Sequence, residues 1–104
     1  MAEPEPGHAP IRLDKWLWHA RFFKSRSLAA AACTGPMRLN GQRVAKPAQT
    51  VRPGDVLTFA QGSAVRVVRV LAPGTRRGPA TEAQTLYEDL APRQGDADPA
   101  SPLD

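Results

Sequence analysis

The prolines restrict this chain more than any other residue type. Of the 11 prolines in 104 residues, seven (Pro4, Pro6, Pro10, Pro79, Pro92, Pro99 and Pro102) lie outside residues 11–77. Proline lacks the amide hydrogen that helix interiors and inner strands need, so regular structure is confined to the stretch it spares. Residues 1–10 and about 91–104 are rich in Pro, Ala and Asp. They carry too little apolar surface to offset ordering entropy, and both are expected to be disordered. Roughly residues 11–90 remain to make one small domain. A core of that size buries only about 60% of its unfolded surface, so modest stability is expected.

Charge follows the same boundaries. The net +4 hides a strong asymmetry: residues 1–10 hold two acids and no base, residues 11–77 hold 13 bases against two acids, and residues 78–104 hold one base against six acids. A basic module between acidic ends points to a polyanionic partner. The longest apolar run, Leu28 to Cys33, is six residues, far short of the roughly 18 that span a bilayer. The opening MAEPEPGHAP lacks the basic and apolar segments of a signal peptide, so a cytoplasmic location is expected. A single cysteine, Cys33, excludes an intrachain disulfide, and within its run of alanines it reads as a small buried hydrophobe. Neither His8 nor His19 has a second ligand nearby in sequence, so neither metal nor cofactor is expected.

Residues 12–20 have helical periodicity. Leu13, Trp16, Leu17 and Ala20 share an inward sector, while Arg12, Lys15, Trp18 and His19 share a basic one. Phe22-Phe23-Lys24 breaks the period, with one phenylalanine expected to plug the core. Ser25 suits the N-cap of an alanine-rich helix that Gly35-Pro36 ends, with Gly35 as a left-handed cap. Asn40-Gly41 between Met37-Arg38-Leu39 and Gln42-Arg43-Val44 signals a hairpin with a type I′ turn. Arg52-Pro53-Gly54-Asp55 signals a type II turn, with Asp55 capping it. Strands are expected over Val56–Phe59 and Ala64–Leu71. Arg66 and Arg69 face opposite sides unless a bulge intervenes. Thr81-Glu82-Ala83-Gln84 fits a capping box, and Leu86, Tyr87 and Leu90 continue at helical spacing. The order predicts an α+β domain: two N-terminal helices packed on a small antiparallel sheet, with a short C-terminal helix and disordered acidic ends.

Catalysis finds little support. The basic module offers only Asp14 and Asp55 as acids, and no nucleophile lies at a recognisable spacing from a histidine. Asp14 suits the first turn of its helix and can reach bases brought near by folding. The stronger signal is phosphate chemistry. Arg12, Lys15, Arg21, Lys24 and Arg26 fall within 15 positions, and Arg38, Arg43 and Lys46 decorate the hairpin and its exit. Lys24-Ser25-Arg26-Ser27 adds hydroxyls and helix amides to the same corner. Trp18 is a candidate to stack on an unpaired base; its alternative is packing against a neighbouring element.

The string Ile11-Arg12-Leu13-Asp14-Lys15-Trp16-Leu17, followed by Phe23-Lys24-Ser25-Arg26-Ser27-Leu28-Ala29, Leu39-Asn40-Gly41 and Val51-Arg52-Pro53-Gly54-Asp55-Val56-Leu57, resembles the alpha-L RNA-binding motif. That domain occurs in a protein of the small ribosomal subunit, in pseudouridine synthases and in tyrosyl-tRNA synthetases. The segment Arg76-Arg77-Gly78-Pro79-Ala80-Thr81-Glu82-Ala83, with Leu86-Tyr87-Glu88, is similar to the small bacterial ribosome-associated heat-shock RNA-binding proteins. The resemblance implies an RNA-binding domain over 11–72, followed by a linker and short helix over 73–90. It implies a non-enzymatic protein that docks on rRNA, with tRNA, at the large ribosomal subunit and helps recycle subunits holding nascent chains. It further implies RNA contacts from Arg12, Lys15, Lys24, Ser25, Arg26 and the hairpin, Asn40 included. Many family members carry a longer basic C-terminal helix, whereas this chain turns acidic. A monomer is expected. The competing readings are a quality-control factor for stalled chains, an RNA-modifying enzyme (for which the roughly 30 residues after the motif are too few) and a DNA or general polyanion binder.

Overall fold

The computed structural model describes residues 10–90. The stretches expected to be disordered, residues 1–10 and 91–104, lie outside the described residues except for Pro10. In chain order the elements are β1 (Ile11–Arg12), α1 (Leu13–His19), α2 (Arg26–Cys33), β2 (Arg38–Leu39), β3 (Gln42–Arg43), β4 (Thr50–Val51), β5 (Val56–Gln61), β6 (Ala64–Val70), α3 (Ala80–Ala83), a 3-10 turn (Gln84–Leu86) and β7 (Tyr87–Asp89). This is the α+β architecture expected. A five-stranded antiparallel sheet runs β3-β2-β5-β6-β7, and β1 pairs with β4 in a separate two-stranded ribbon.

The first helix starts at Leu13 rather than Arg12, because Arg12 is extended (φ −57°, ψ 139°) and pairs with Thr50 in the ribbon. No side chain caps α1. Instead the Leu13 and Asp14 amides donate to the Gln49 and Pro47 carbonyls, at 2.8 and 3.3 Å. Two orphan donors of the helix start are thus satisfied by a loop more than 30 residues away in sequence. The second helix behaves locally: Ser25 is extended and its hydroxyl accepts from the Leu28 amide at 3.1 Å. Its other end departs from expectation. Gly35 is not left-handed; Thr34 is the cap, with its amide and hydroxyl both donating to the Ala31 carbonyl.

Both sequence turns form. Asn40 and Gly41 hold φ of 52° and 84°, the two positive angles of a type I′ hairpin. In the second turn the Asp55 amide donates to the Arg52 carbonyl at 3.1 Å, and Gly54 sits at φ 99°. The β5–β6 register is unbroken from Val56↔Arg69 to Gln61↔Ala64. With no bulge, Arg66 and Arg69 face opposite sides.

The C-terminal stretch differs most from the sequence reading. The short helix is there, but it covers only Ala80–Ala83, with Pro79 as its cap and no capping-box bond. Glu82 is drawn to Arg76 instead. Tyr87–Asp89 then pair antiparallel with Val68–Val70. The free edge of β6 needs partners for its amides and carbonyls, and that demand overrides the helical spacing of Leu86, Tyr87 and Leu90. Before α3 the chain crosses α1: Trp16 Nε1 donates to the Ala72 carbonyl at 2.8 Å, and His19 Nδ1 lies 3.2 Å from the Pro73 carbonyl. Gly74, at φ 74°, fits tightly there, since a Cβ would lie 2.9 Å from Leu86 Cδ1.

One core joins the layers: Leu13, Trp16 and Leu17 from α1, Ala29 and Cys33 from α2, Leu57 and Phe59 from β5, and Val68 and Val70 from β6, with Met37, Val51 and Leu86. Burying one such large side chain contributes roughly 1.5–3 kcal/mol. Phe22 is the plug: its ring packs on Tyr87 (4.6 Å) and Phe59 (5.2 Å). Cys33 is fully buried and its thiol is pushed up to about 11, chiefly by that burial.

Candidate nucleic-acid interface

The corner between α1 and α2 is organised by one carboxylate. Asp14 is 4% exposed. Its oxygens accept from Arg12 Nε and Nη2 at 3.1 and 2.9 Å, and from Arg26 Nη2 at 3.3 Å. Burial alone would push this carboxyl up, but the hydrogen bonds and charges of Arg12 and then Arg26 outweigh it and hold it below its ordinary value. One negative charge thereby fixes two arginines that both stay substantially exposed, so the corner keeps a net positive charge in a defined geometry. Lys15 and Lys24 are exposed, and Ser25 at the α2 N-cap is half-buried.

The hairpin supplies a second group of bases. Arg38 and Arg43 are direct cross-strand partners and both are exposed. Residues opposed in this way project from the same face, and like charges so placed repel. Arg38 is tethered by a bond to the Gly41 carbonyl at 3.3 Å. Lys46 is exposed beyond the hairpin. Asn40 is occupied within the fold: its Nδ2 donates to Asp55 at 3.1 Å, and its Oδ1 accepts from the Val56 amide at 2.9 Å.

At the far end of α1 the structure separates residues that the sequence grouped. His19 is 2% exposed and faces the crossing segment, not the basic sector. Trp18 is half-buried, with the Arg77 guanidinium 6.0 Å from its ring centroid. Arg21 adopts φ 65° and donates to the Gly78 carbonyl at 2.8 Å. No local signal in the sequence marks Arg77 as a site residue. Its doublet with Arg76 was visible, but nothing local placed it beside Trp18, 59 positions earlier.

Ion pairing sorts the bases into two classes. Arg66, Arg69 and Arg76 pair with Asp89, Glu88 and Glu82, all acids of the C-terminal stretch. By contrast Lys15, Arg21, Lys24, Arg38, Arg43, Lys46, Arg52 and Arg77 form no ion pair among the described residues. Three of the six acids counted after residue 77 thus neutralise Arg66 and Arg69 of β6 and Arg76 beyond it, leaving the hairpin bases and, Arg12 and Arg26 apart, the helix corner without an acid partner among the described residues. Among the described residues no group of three or more metal-ligating side chains comes together. No helix there is long and apolar enough to cross a membrane.

Comparison with known proteins identifies the domain and its relatives. A family model described as the S4 domain matches residues 11–57. The chain is 48% identical over 82 residues to heat shock protein 15 of Escherichia coli K12, covering 78% of this chain and 61% of that protein. It is 44% identical over 90 residues to the heat shock protein 15 homolog of Aeromonas salmonicida, covering 86% and 67%. The solved structure of Vibrio cholerae heat shock protein 15, described as trimeric, superposes with a TM-score of 0.74 at 43% identity, over 80% of this chain and 84% of that one. The chain therefore spans about three fifths of the length of the E. coli relative.

Proposed function

This chain belongs to the heat shock protein 15 family and is an RNA-binding S4-domain protein, and from that premise we propose that it acts by docking its helix corner and hairpin on structured rRNA at the large ribosomal subunit. On this reading it works in the cytoplasm as a binding protein, not an enzyme, and assists the recycling of subunits that hold nascent chains on tRNA. The observation that carries the proposal is the segregation of charge. Lys15 and Lys24 of the corner and Arg38, Arg43 and Lys46 of the hairpin and its exit have no acid partner among the described residues, whereas Arg66, Arg69 and Arg76 are each neutralised. Arginine and lysine left uncompensated at exposed sites neutralise phosphates and release counterions, which makes RNA affinity fall with salt.

Lys15, Lys24, Arg38, Arg43 and Lys46 are the proposed phosphate contacts. Arg12 and Arg26 add charge held in register by Asp14, and Ser25 adds a hydroxyl. The test measures affinity for rRNA fragments and for isolated large subunits across a salt series. Lys24→Ala and Arg43→Ala are each expected to lower affinity and reduce the salt slope by roughly 0.7–0.9. Arg69→Ala, whose partner is Glu88, is expected to change neither. Equal behaviour of all three variants would overturn the assignment. Duplex DNA competing as well as RNA at fixed salt would favour a general polyanion binder.

A further inference from the structure

We propose that Trp18 and Arg77 together form a subsite for a phosphate flanking an unpaired nucleobase, built at the seam between the S4 domain and the segment that follows it. The inference rests on the RNA-binding reading and extends it beyond residues 11–57. It starts from an anomaly in Arg77. Its Nε is buried with no hydrogen-bond partner, and Nη2 reaches only the Phe23 carbonyl, at 3.5 Å. Arg66 also has an unpartnered Nε, but its other nitrogens bond Gln61 at 2.8 Å and Asp89 at 3.2 Å, so its charge is compensated. Arg77 has no acid partner among the described residues. The fold desolvates this Nε without satisfying it, which costs free energy, while the residue as a whole stays partly exposed. The contact that it gains, 6.0 Å over the Trp18 ring, is at the outer limit of a cation–π pair.

The position is nonetheless held from both sides. Arg76 is clamped by Glu82 through Nη2–Oε1 at 2.6 Å and Nε–Oε2 at 3.2 Å. On the other flank the Gly78 carbonyl is held by Arg21 at 2.8 Å. A Cβ at Gly78 would lie 2.6 Å from the Glu82 carboxylate, so a larger residue there would shift that side chain. Arg77 is therefore presented on a braced segment, and its planar fork suits bidentate contact with a phosphate. The half-buried indole beside it offers a stacking surface for the adjoining base, and stacking needs that base unpaired. The exposed, unpaired charges of Arg21 and Lys24 make this seam continuous with the basic corner.

The test uses the full chain and two probes, an RNA hairpin with an unpaired loop and a blunt RNA duplex of the same length. Arg77→Ala and Trp18→Leu are each expected to weaken hairpin binding about tenfold and duplex binding by less than about twofold. Hairpin binding is expected to quench indole emission in the parent and not in Trp18→Leu, because Trp16 lies in the core. Should Arg77→Ala fail to fold, Arg77→Lys keeps the charge without the planar fork and is expected to lose most of the hairpin preference. An unchanged hairpin-to-duplex ratio in these variants, or quenching that survives Trp18→Leu, overturns the subsite and leaves the RNA-binding reading intact. Failure of the parent to bind either probe overturns both.

Discussion

Asp14 shows how one side chain serves fold and site together. Its carboxylate is buried, yet it is charge-compensated by two arginines from different elements. Asp14 is the buried member and both arginines are substantially exposed, so losing an arginine leaves a buried carboxylate less compensated, whereas losing the carboxylate removes three charge-assisted hydrogen bonds. Asp14→Asn keeps the shape but removes the charge, and is expected to destabilise the fold by about 1–3 kcal/mol in chemical denaturation. Its effect has a definite pH signature. The folded-state carboxyl titrates below the ordinary value of 3.8, so on acidification the unfolded chain takes up the proton first. The stabilisation is complete above that ordinary value and is lost as pH falls through the lower folded one. Denaturation midpoints of the parent and Asp14→Asn should therefore lie apart at neutral pH and converge below about pH 3.8. The first-turn carboxylate was legible in the sequence, as was its capacity to reach bases brought near by folding. That Arg26 would be one of them was not, because their meeting depends on how α1 packs on α2.

At the scale of elements, legibility followed the distance over which each element is decided. The Asn40-Gly41 turn, the Arg52–Asp55 turn and the Ser25 cap are settled by the conformational demands of two or three adjacent residues, and all three form. β7 was missed because its stabilisation comes from β6, across a segment whose own residues suggest a helix. The caps of α1 come from Pro47 and Gln49, which no local signal links to Leu13. The hairpin carries the element-scale prediction. Arg38 and Arg43 are opposed across β2–β3, an arrangement that costs a few tenths to about 1 kcal/mol relative to a neutral pair. Arg43→Thr replaces the repulsion with a residue of high strand propensity. Thermal unfolding of this variant is expected to occur at the same or a higher temperature, while RNA affinity drops and the salt slope loses roughly 0.7–0.9. A loss of stability together with affinity would assign Arg43 a structural part instead.

For the whole molecule, the distribution of acids matters more than the net +4. Glu82, Glu88 and Asp89 do not form a separate acidic end; they are spread along α3 and β7, each against an arginine. Surface pairs of this kind contribute little to stability, with a median of about 0–1 kcal/mol. Their larger effect is on the electrostatic field, because they cancel positive charge on β6 and at Arg76 and leave the corner and hairpin as the basic surface for a polyanion to find. Removing one acid separates these two effects. Glu88→Gln releases Arg69, and the unfolding midpoint should move little. Affinity for any RNA should rise, with the salt slope steepening by up to about 0.9 if the freed arginine reaches a phosphate. The freed charge lies on β6, outside the proposed contacts, and adds a second way of binding that reads no feature of the RNA. An unrelated duplex should therefore gain by a larger factor than structured rRNA, which already binds through the corner and hairpin, and the ratio of the two affinities should fall toward one. A ratio that holds constant would mean that discrimination resides wholly in the corner and hairpin, and that Glu88 has no part in directing the RNA to them.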